Sequence, residues 1–427
     1  MCGNSPHVRV SRFRVATSAR YGGKLMLSTR RASVYVHFPW CLAKCPYCDF
    51  VSYAAPRDSI DHAGYADAVL RELAARARAF CFNASSNGTG ERRVASVFFG
   101  GGTPSLWEPA ELGRVLAGIR RTLVCEENLE VTVECNPTSL DVESARELHE
   151  QGVNRLSIGT QSLRSDQLKY LGRLHDPNGA RAALEAALSS GIPRVSTDLI
   201  FGLPDQTPED ASSQALALAD LGLAHLSCYQ LTIEPGTQFG ELAKRGRLPR
   251  ADDGIVAEAF LAIDEALGGR DLAHYEISNY AQPGEEARHN LGYWRGEEYL
   301  GLGCAAFGFL RTDGTDVSSG VRYRNVVDPR KYVESTRSTE AVTQGETREP
   351  LDAETLLRER IMLGLRLATG FDLAAAADDL GLVGWTDERT REVAKLEARG
   401  RLLREGTRLR LPPAAWLWAD DTAARLF

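Results

Sequence analysis

From residue 33 onward, short apolar runs rich in β-branched residues alternate with longer amphipathic stretches. The runs SVYVHF (33–38), ASVFF (95–99), LEVTVE (129–134), NRLSIG (154–159), RVSTDLIF (194–201) and HLSCYQL (225–231) predict strands. Between them, DHAGYADAVLRELAARARAF (61–80) and PEDASSQALALADLGL (208–223) place apolar residues at three- and four-residue steps, which predicts helices with one sheet-facing side. Repeated strand-helix units point to the α/β class with a parallel sheet, and six strands suffice for an open, partial (β/α)6 barrel.

The polar stretch CFNASSNGTGERR (81–93) reads as a mobile surface insertion. Its NAS and NGT triplets match the glycosylation pattern, a coincidence in a reducing compartment. After about residue 280 the pattern changes to a Gly-rich aromatic stretch, then Leu- and Arg-rich helical segments, then RLLREGTRLRLPPAAW (401–416), which reads as a short hairpin. The expected division is a leader over 1–32, disordered or targeting, a barrel over 33–275, and a smaller α+β, largely helical domain over 276–427.

Composition narrows the class. The 427 residues can bury a large core. A hydrophobic share of 43% and a charged share of 25% are ordinary for a globular chain. The net charge of -7 gives no pull towards nucleic acid or anionic membrane. No run reaches the ~18 to 20 apolar residues of a membrane helix. Nine cysteines, three clustered and six scattered, do not form a disulfide framework and imply a reducing, cytoplasmic home. The segment before Ser33 has no acid and carries Arg9, Arg12, Arg14, Arg20, Lys24, Arg30 and Arg31 among serines. Mitochondrial or plastid import is one reading of it; a disordered start, with Met26 as a second initiator, is the other.

The chemistry begins at HFPWCLAKCPYCDF (37–50), where Cys41, Cys45 and Cys48 stand in a CxxxCxxC spacing that then stops. A structural zinc takes four ligands, so His37 or Asp49 would complete that set. A cubane 4Fe-4S cluster held by three thiolates instead leaves one iron open to an outside ligand. The short spacing and Tyr47 before the last cysteine favour the cluster. FFGGGTPS (98–105) leaves a strand into Gly100, Gly101 and Gly102, where missing Cβ atoms allow close backbone approach to a ligand. Glu134, Gln161 and Asp198 fall at or near strand ends, where barrels gather ligand-binding side chains.

These blocks together resemble the radical S-adenosylmethionine superfamily, and within it the relatives of oxygen-independent coproporphyrinogen oxidase, most closely the HemW haem chaperones. The resemblance covers nearly the whole chain from Ser33 and rests on YVHFPWCLAKCPYCDF, FFGGGTPS, SIGTQSL, LGRLH, DLIFGLPDQT, LSCYQLTIEPGTQF, YEISNYAQPG and RHNLGYW. The oxidases of this branch carry a further cysteine two positions after the third; here that position is Phe50, as in the chaperones.

The resemblance implies a radical-SAM barrel with a HemN-like C-terminal domain, a cluster on Cys41, Cys45 and Cys48, and S-adenosylmethionine chelated at the open iron. It assigns Tyr35, Gly101, Gly102, Thr103, Glu134, Gln161, Arg173 and Asp198 to S-adenosylmethionine, with Asp198 suited to the ribose hydroxyls and Arg173 to the carboxylate. It associates the HNxxYW block, here His289, Asn290, Tyr293 and Trp294, with haem. His289 is then the candidate axial ligand, against the alternative of a structural hydrogen-bonding element. GLGCAAFG (301–308) departs from related sequences, with Cys304 and Phe307 where Ala and His are usual.

Three functions stay open at this level. The first is a chaperone that binds haem and passes it to acceptor apoproteins, respiratory ones among them. The second is a radical enzyme acting on a porphyrinogen propionate, which needs an electron donor and which Phe50 weakens. The third adds a nucleic-acid or protein-binding module in the C-terminal part, which no nucleic-acid motif accompanies.

Overall fold

The computed structural model describes residues 30–82, 92–311, 320–338 and 345–427. Residues 1–29 of the expected leader and 83–91 of the expected insertion lie outside the described residues.

The barrel alternates strand and helix through β1 (Arg30–Phe38), α1 (His62–Phe82), β2 (Arg92–Gly101), α2 (Pro109–Thr122), β3 (Cys125–Cys135), α3 (Val142–Glu150) and β4 (Arg155–Gln161). It continues through α4 (Pro177–Ser189), β5 (Arg194–Phe201), α5 (Pro208–Ala219), β6 (His225–Gln230) and α6 (Asp253–Gly268). Strands β1 to β6 are sheet neighbours in chain order, all parallel. Helix starts are where the side chains predict them: Asp176 caps α4 through the Gly179 N–H and Thr207 caps α5 through that of Asp210.

Parallel strands covered by helices are buried on both faces, but here the two faces differ in kind. Val34, Val36 and Phe38 of β1, Val131 and Val133 of β3, Leu156 and Ile158 of β4, and Leu226 and Cys228 of β6 enter the main apolar core. The intervening residues, Tyr35 and His37, Thr132 and Glu134, Ser157, Ser196 and Asp198, and His225 and Ser227, line the barrel lumen. Period-two alternation thus separates an apolar outer layer from a polar interior.

The sheet runs on past the boundary expected at 275/276. β7 (Ala273–Glu276) and β8 (Asn279–Ala281) extend it beyond β6, and α7 (Arg288–Trp294) follows. β9 (Glu298–Leu302) pairs in parallel with the free edge of β1, and β10 (Phe307–Arg311), β11 (Gly320–Arg324) and β12 (Thr347–Leu351) add antiparallel strands outside it. A second apolar core, with Leu357, Ile361, Leu373, Val393, Leu409 and Trp416, draws most of its residues from Leu351 onward. The predicted hairpin is present as Leu403–Glu405 against Arg408–Arg410. No helix among the described residues is long and apolar enough to cross a membrane.

Candidate functional site

The strand ends of β1 to β6 open onto a cavity of about 720 Å³. Tyr35, Gly101, Glu134 and Asp198 line it, as do His289, Asn290 and Tyr293 of the HNxxYW block, so the structure brings these sequence-predicted residues together. Two acids dominate its chemistry. Burial, with the charge of Asp198 nearby, pushes the Glu134 carboxyl up to about 8, against the Gly101 N–H that donates to its Oε2 at 3.0 Å. Burial pushes Asp198 up to about 6, and Ser157 donates to its Oδ1 at 3.2 Å. A cationic or hydroxyl-bearing ligand placed between them would restore their charges.

The three cysteines follow β1 directly, with a turn closed by the Cys48 N–H on the Cys45 carbonyl. Burial pushes the Cys41 and Cys48 thiols up, against hydrogen bonds from Thr103 and Ser52 at Cys41. Arg173 reaches across from the far side of the barrel, donating Nη1 to Cys45 Sγ at 3.4 Å and Nη2 to the Gly159 carbonyl at 2.8 Å, while its buried Nε has no partner. Thr103, Cys45 and Arg173 border a second, small cleft. No group of three or more His, Cys, Asp or Glu side chains among the described residues is gathered for a single metal ion. A cubane takes each thiolate at a different corner, and three thiols on one loop beside a buried guanidinium with an unmade hydrogen bond suit that group.

His37 is no fourth metal ligand. Its Nδ1 is bonded to the Tyr35 hydroxyl at 3.0 Å and its Nε2 to the Val51 carbonyl at 2.8 Å, and burial holds its pKa down to about 4. Asp49 lines the main cavity instead.

The glycine triplet works differently from expectation. A Cβ on Gly100 would meet the Tyr35 and Phe98 rings at 2.9 Å, one on Gly101 the His37 ring at 2.5 Å, and one on Gly102 the Trp40 carbonyl at 2.5 Å. The N–H groups of Gly102 and Thr103 are spent on the Phe38 and Trp40 carbonyls. The missing side chains let the cysteine loop close over β2; of the three, only Gly101 also faces the cavity. Gln161, held at φ +67°, lines neither cavity and packs over Gly159.

His289 stands on α7 at the wall of the main cavity, buried and stacked on Phe98 at 4.8 Å. Both ring nitrogens are engaged, Nδ1 with Ser96 Oγ at 2.9 Å and Nε2 with the Tyr293 hydroxyl at 3.1 Å. Burial keeps the ring neutral, with its pKa held down to about 3. An iron at Nε2 therefore requires Tyr293 to turn away. Cys304 is buried with its thiol on the Val327 carbonyl at 2.6 Å, and Phe307, half-exposed, lies on the cavity wall. Phe50 stands 63% exposed on the lining of the same cavity.

Sequence reading missed the floor of the lumen, where Thr132, Arg155 and His225 lie. It also missed a second cavity of about 680 Å³, lined by Tyr293, Trp294, Tyr299, Phe309 and Met362 between barrel and C-terminal core. The signal for the first was a charged residue, Arg155, inside a predicted strand of a barrel.

The family pattern of the Radical SAM superfamily matches residues 35–213, and that of the HemN C-terminal domain matches residues 351–418. The chain is 38% identical over 311 residues to the heme chaperone HemW of Escherichia coli K12, covering 72% of this chain and 79% of that protein. It is 34% identical over 394 residues to the heme chaperone HemW of Mycobacterium tuberculosis H37Rv, covering 92% and 94%. It is 33% identical over 339 residues to the mitochondrial radical S-adenosyl methionine domain-containing protein 1 of Danio rerio, covering 79% and 73%. The solved structure of coproporphyrinogen III oxidase (HemN) from Escherichia coli superposes with a TM-score of 0.74 at 20% identity over 94% of this chain and 91% of that one, a likeness of fold.

Proposed function

Because the chain belongs to the HemW family of heme chaperones in the radical SAM superfamily, we propose that it binds haem and hands it to acceptor apoproteins. The observation that carries this reading is the end-to-end match, which takes in barrel and C-terminal part alike.

The superfamily's cofactors are a 4Fe-4S cluster and S-adenosylmethionine. Cys41, Cys45 and Cys48 would hold three irons, leaving the fourth for the amino and carboxylate groups of the methionine moiety. Reduced, such a cluster supplies an electron that can split the cofactor. Among this chain's residues, Arg173 would meet the carboxylate beside Cys45, and Asp198 the ribose hydroxyls. Glu134 would accept from the ligand while fixing the Gly101 turn, with Tyr35 closing one wall. Gly102 and Thr103 would act through the loop they hold against the cysteines, and Gln161 through its packing on Gly159. Haem would dock near His289, against Tyr293 and Tyr299.

No observation favours the porphyrinogen-oxidising reading: Phe50 puts an exposed phenyl ring on the cavity where a thiol would stand. The acceptors would be haem-requiring apoproteins, respiratory ones among them, and an electron donor would serve the cluster. The compartment is the cytoplasm, with organelle import the alternative that the Danio rerio relative's name raises.

The test is an anaerobic haem titration of the cluster-reconstituted chain, followed optically with S-adenosylmethionine present and 5'-deoxyadenosine assayed in the same tube. Stoichiometric haem binding without porphyrinogen decarboxylation supports the chaperone. Absence of haem binding, with rapid cofactor cleavage once a porphyrinogen is added, overturns it.

A further inference from the structure

The lumen of the barrel is layered. Thr132 lies two residues before Glu134 on β3, Ser196 two before Asp198 on β5, and Arg155 two before Ser157 on β4. One two-residue step along a strand is roughly 7 Å. On the floor, Thr132 and Arg155, paired in register, therefore lie a full pleat beneath Glu134 and Ser157, and His225, paired with Ser196, lies a pleat beneath Asp198 and Ser227, yet all open into the same cavity.

Three polar atoms on this floor are buried and unpartnered: Arg155 Nη2, Thr132 Oγ1 and His225 Nδ1. Their residues are 2%, 2% and 3% exposed. Arg155 donates Nη1 to the Glu285 carbonyl at 3.1 Å, and its nearest carboxylate, Glu130, stays at 3.8 Å while accepting the backbone N–H groups of Arg288 and His289. Glu130 thus balances the charge of Arg155 without satisfying Nη2.

His225 adds a donor. The Tyr275 hydroxyl accepts the Ala287 N–H at 3.2 Å and lies 2.9 Å from His225 Nε2; with its own proton given to that nitrogen, the ring carries its proton on Nδ1. Burial and the neighbouring Arg155 keep that ring uncharged.

The side chains of Arg155, His225 and Thr132 line one lumen, and each carries a buried polar atom with no partner. Leaving such groups unmade is costly in a buried site. A group with two strong acceptor oxygens answers all three, and a carboxylate is that group. We propose that the barrel floor is a carboxylate subsite, in which Arg155, with Thr132 and His225, receives a propionate of the bound haem. This rests on the haem-binding reading above. The flexible propionate arm reaches below the cofactor layer, while the macrocycle stays at the aromatic wall of Phe98, Tyr293 and Tyr299.

The experiment titrates the cluster-loaded full chain with haem and, in parallel, with haem dimethyl ester, whose carboxyls are blocked. Wild type binds haem about tenfold or more tighter than the ester, the increment of one charge-assisted hydrogen-bonded contact. In Arg155→Gln the ratio falls to near one. Removing Arg155 leaves Glu130 without its countercharge, so Thr132→Val, of similar shape, is the second variant and lowers the ratio about threefold. Equal affinity of wild type for haem and ester, or a ratio unchanged in both variants, overturns the subsite while haem binding stands. If neither porphyrin binds, the haem reading itself fails and the subsite with it.

Discussion

At the scale of single residues, the cysteines carry the sharpest prediction. With Cys41, Cys45 and Cys48 proposed as the protein's whole hold on the cluster, Cys45→Ala should leave two thiolates and lose it. Iron and sulfide analysis of the purified variant should show less than one cluster per chain; wild-type content would sink the assignment. Cys45 also takes the Arg173 bond, which makes it the thiol most tightly tied to the opposite wall of the barrel. For His289 the structure sharpens what the sequence left open. Its Nε2 is held by Tyr293, so Tyr293→Phe, which frees that nitrogen without emptying the pocket, should tighten haem binding severalfold. His289→Ala should weaken it or shift the Soret band. If both variants titrate as wild type, His289 is a structural residue that braces α7 on Ser96 of β2, and the iron is held elsewhere.

At the scale of elements, the end of β2 is where sequence and geometry part. Gly101 sits at φ +114°, a conformation that L side chains avoid, and a Cβ there would press on the His37 ring. Gly101→Ala should cost about 2 kcal/mol or more, because left-handed strain adds to a clash with a ring fixed at both nitrogens. Urea unfolding of the cluster-free protein measures that cost. S-adenosylmethionine affinity should fall in the same variant, since the displaced turn moves the N–H that aims Glu134; unchanged affinity would detach the turn from the site. The six barrel strands were legible because their core-facing residues keep them β-branched and apolar enough to stand out from amphipathic helices. β9 to β12 were not. EYLGL and FGFLR carry glycines where Phe307 and Tyr323 atoms crowd the backbone, so they lack an ordinary strand pattern. The pairing of β9 with β1, far apart in sequence, is a tertiary fact that no local window holds. The CxxxCxxC spacing marked the cysteine loop, with Tyr47 and the family resemblance needed to favour a cluster over zinc. Arg155 was not, because its meaning depends on which strand face turns to the lumen.

At the scale of the whole molecule, the buried acids and histidines set opposing pH dependences. Glu134 and Glu276 are each pushed by burial from near 4.5 up to about 8. Between those values the fold keeps a proton that the unfolded chain has released, so stability falls as pH rises, and the loss is complete above about pH 8. Each group can contribute at most about 1.4 kcal/mol per pH unit. Buried His37, His175 and His289 act the other way. Burial holds them neutral down to about 4, 4 and 3, so unfolding takes up protons once the pH drops below the ordinary histidine value of 6.5, and stability falls on acidification. Between pH 4.5 and 6.5 the two sets oppose each other; between 7 and 8 the carboxyls act almost alone. The cluster-free protein should therefore be most stable near pH 6 to 7 and lose about 1 to 3 kcal/mol on going to pH 8. Glu134→Gln with Glu276→Gln should flatten that alkaline limb, since an amide has no proton to release. Urea midpoints at pH 6.5 and 8.0 for both proteins decide it. If the double variant falls as steeply as wild type, these two carboxyls are charged in the fold, and Glu134 at the mouth of the barrel is held by internal partners instead of being poised for a ligand.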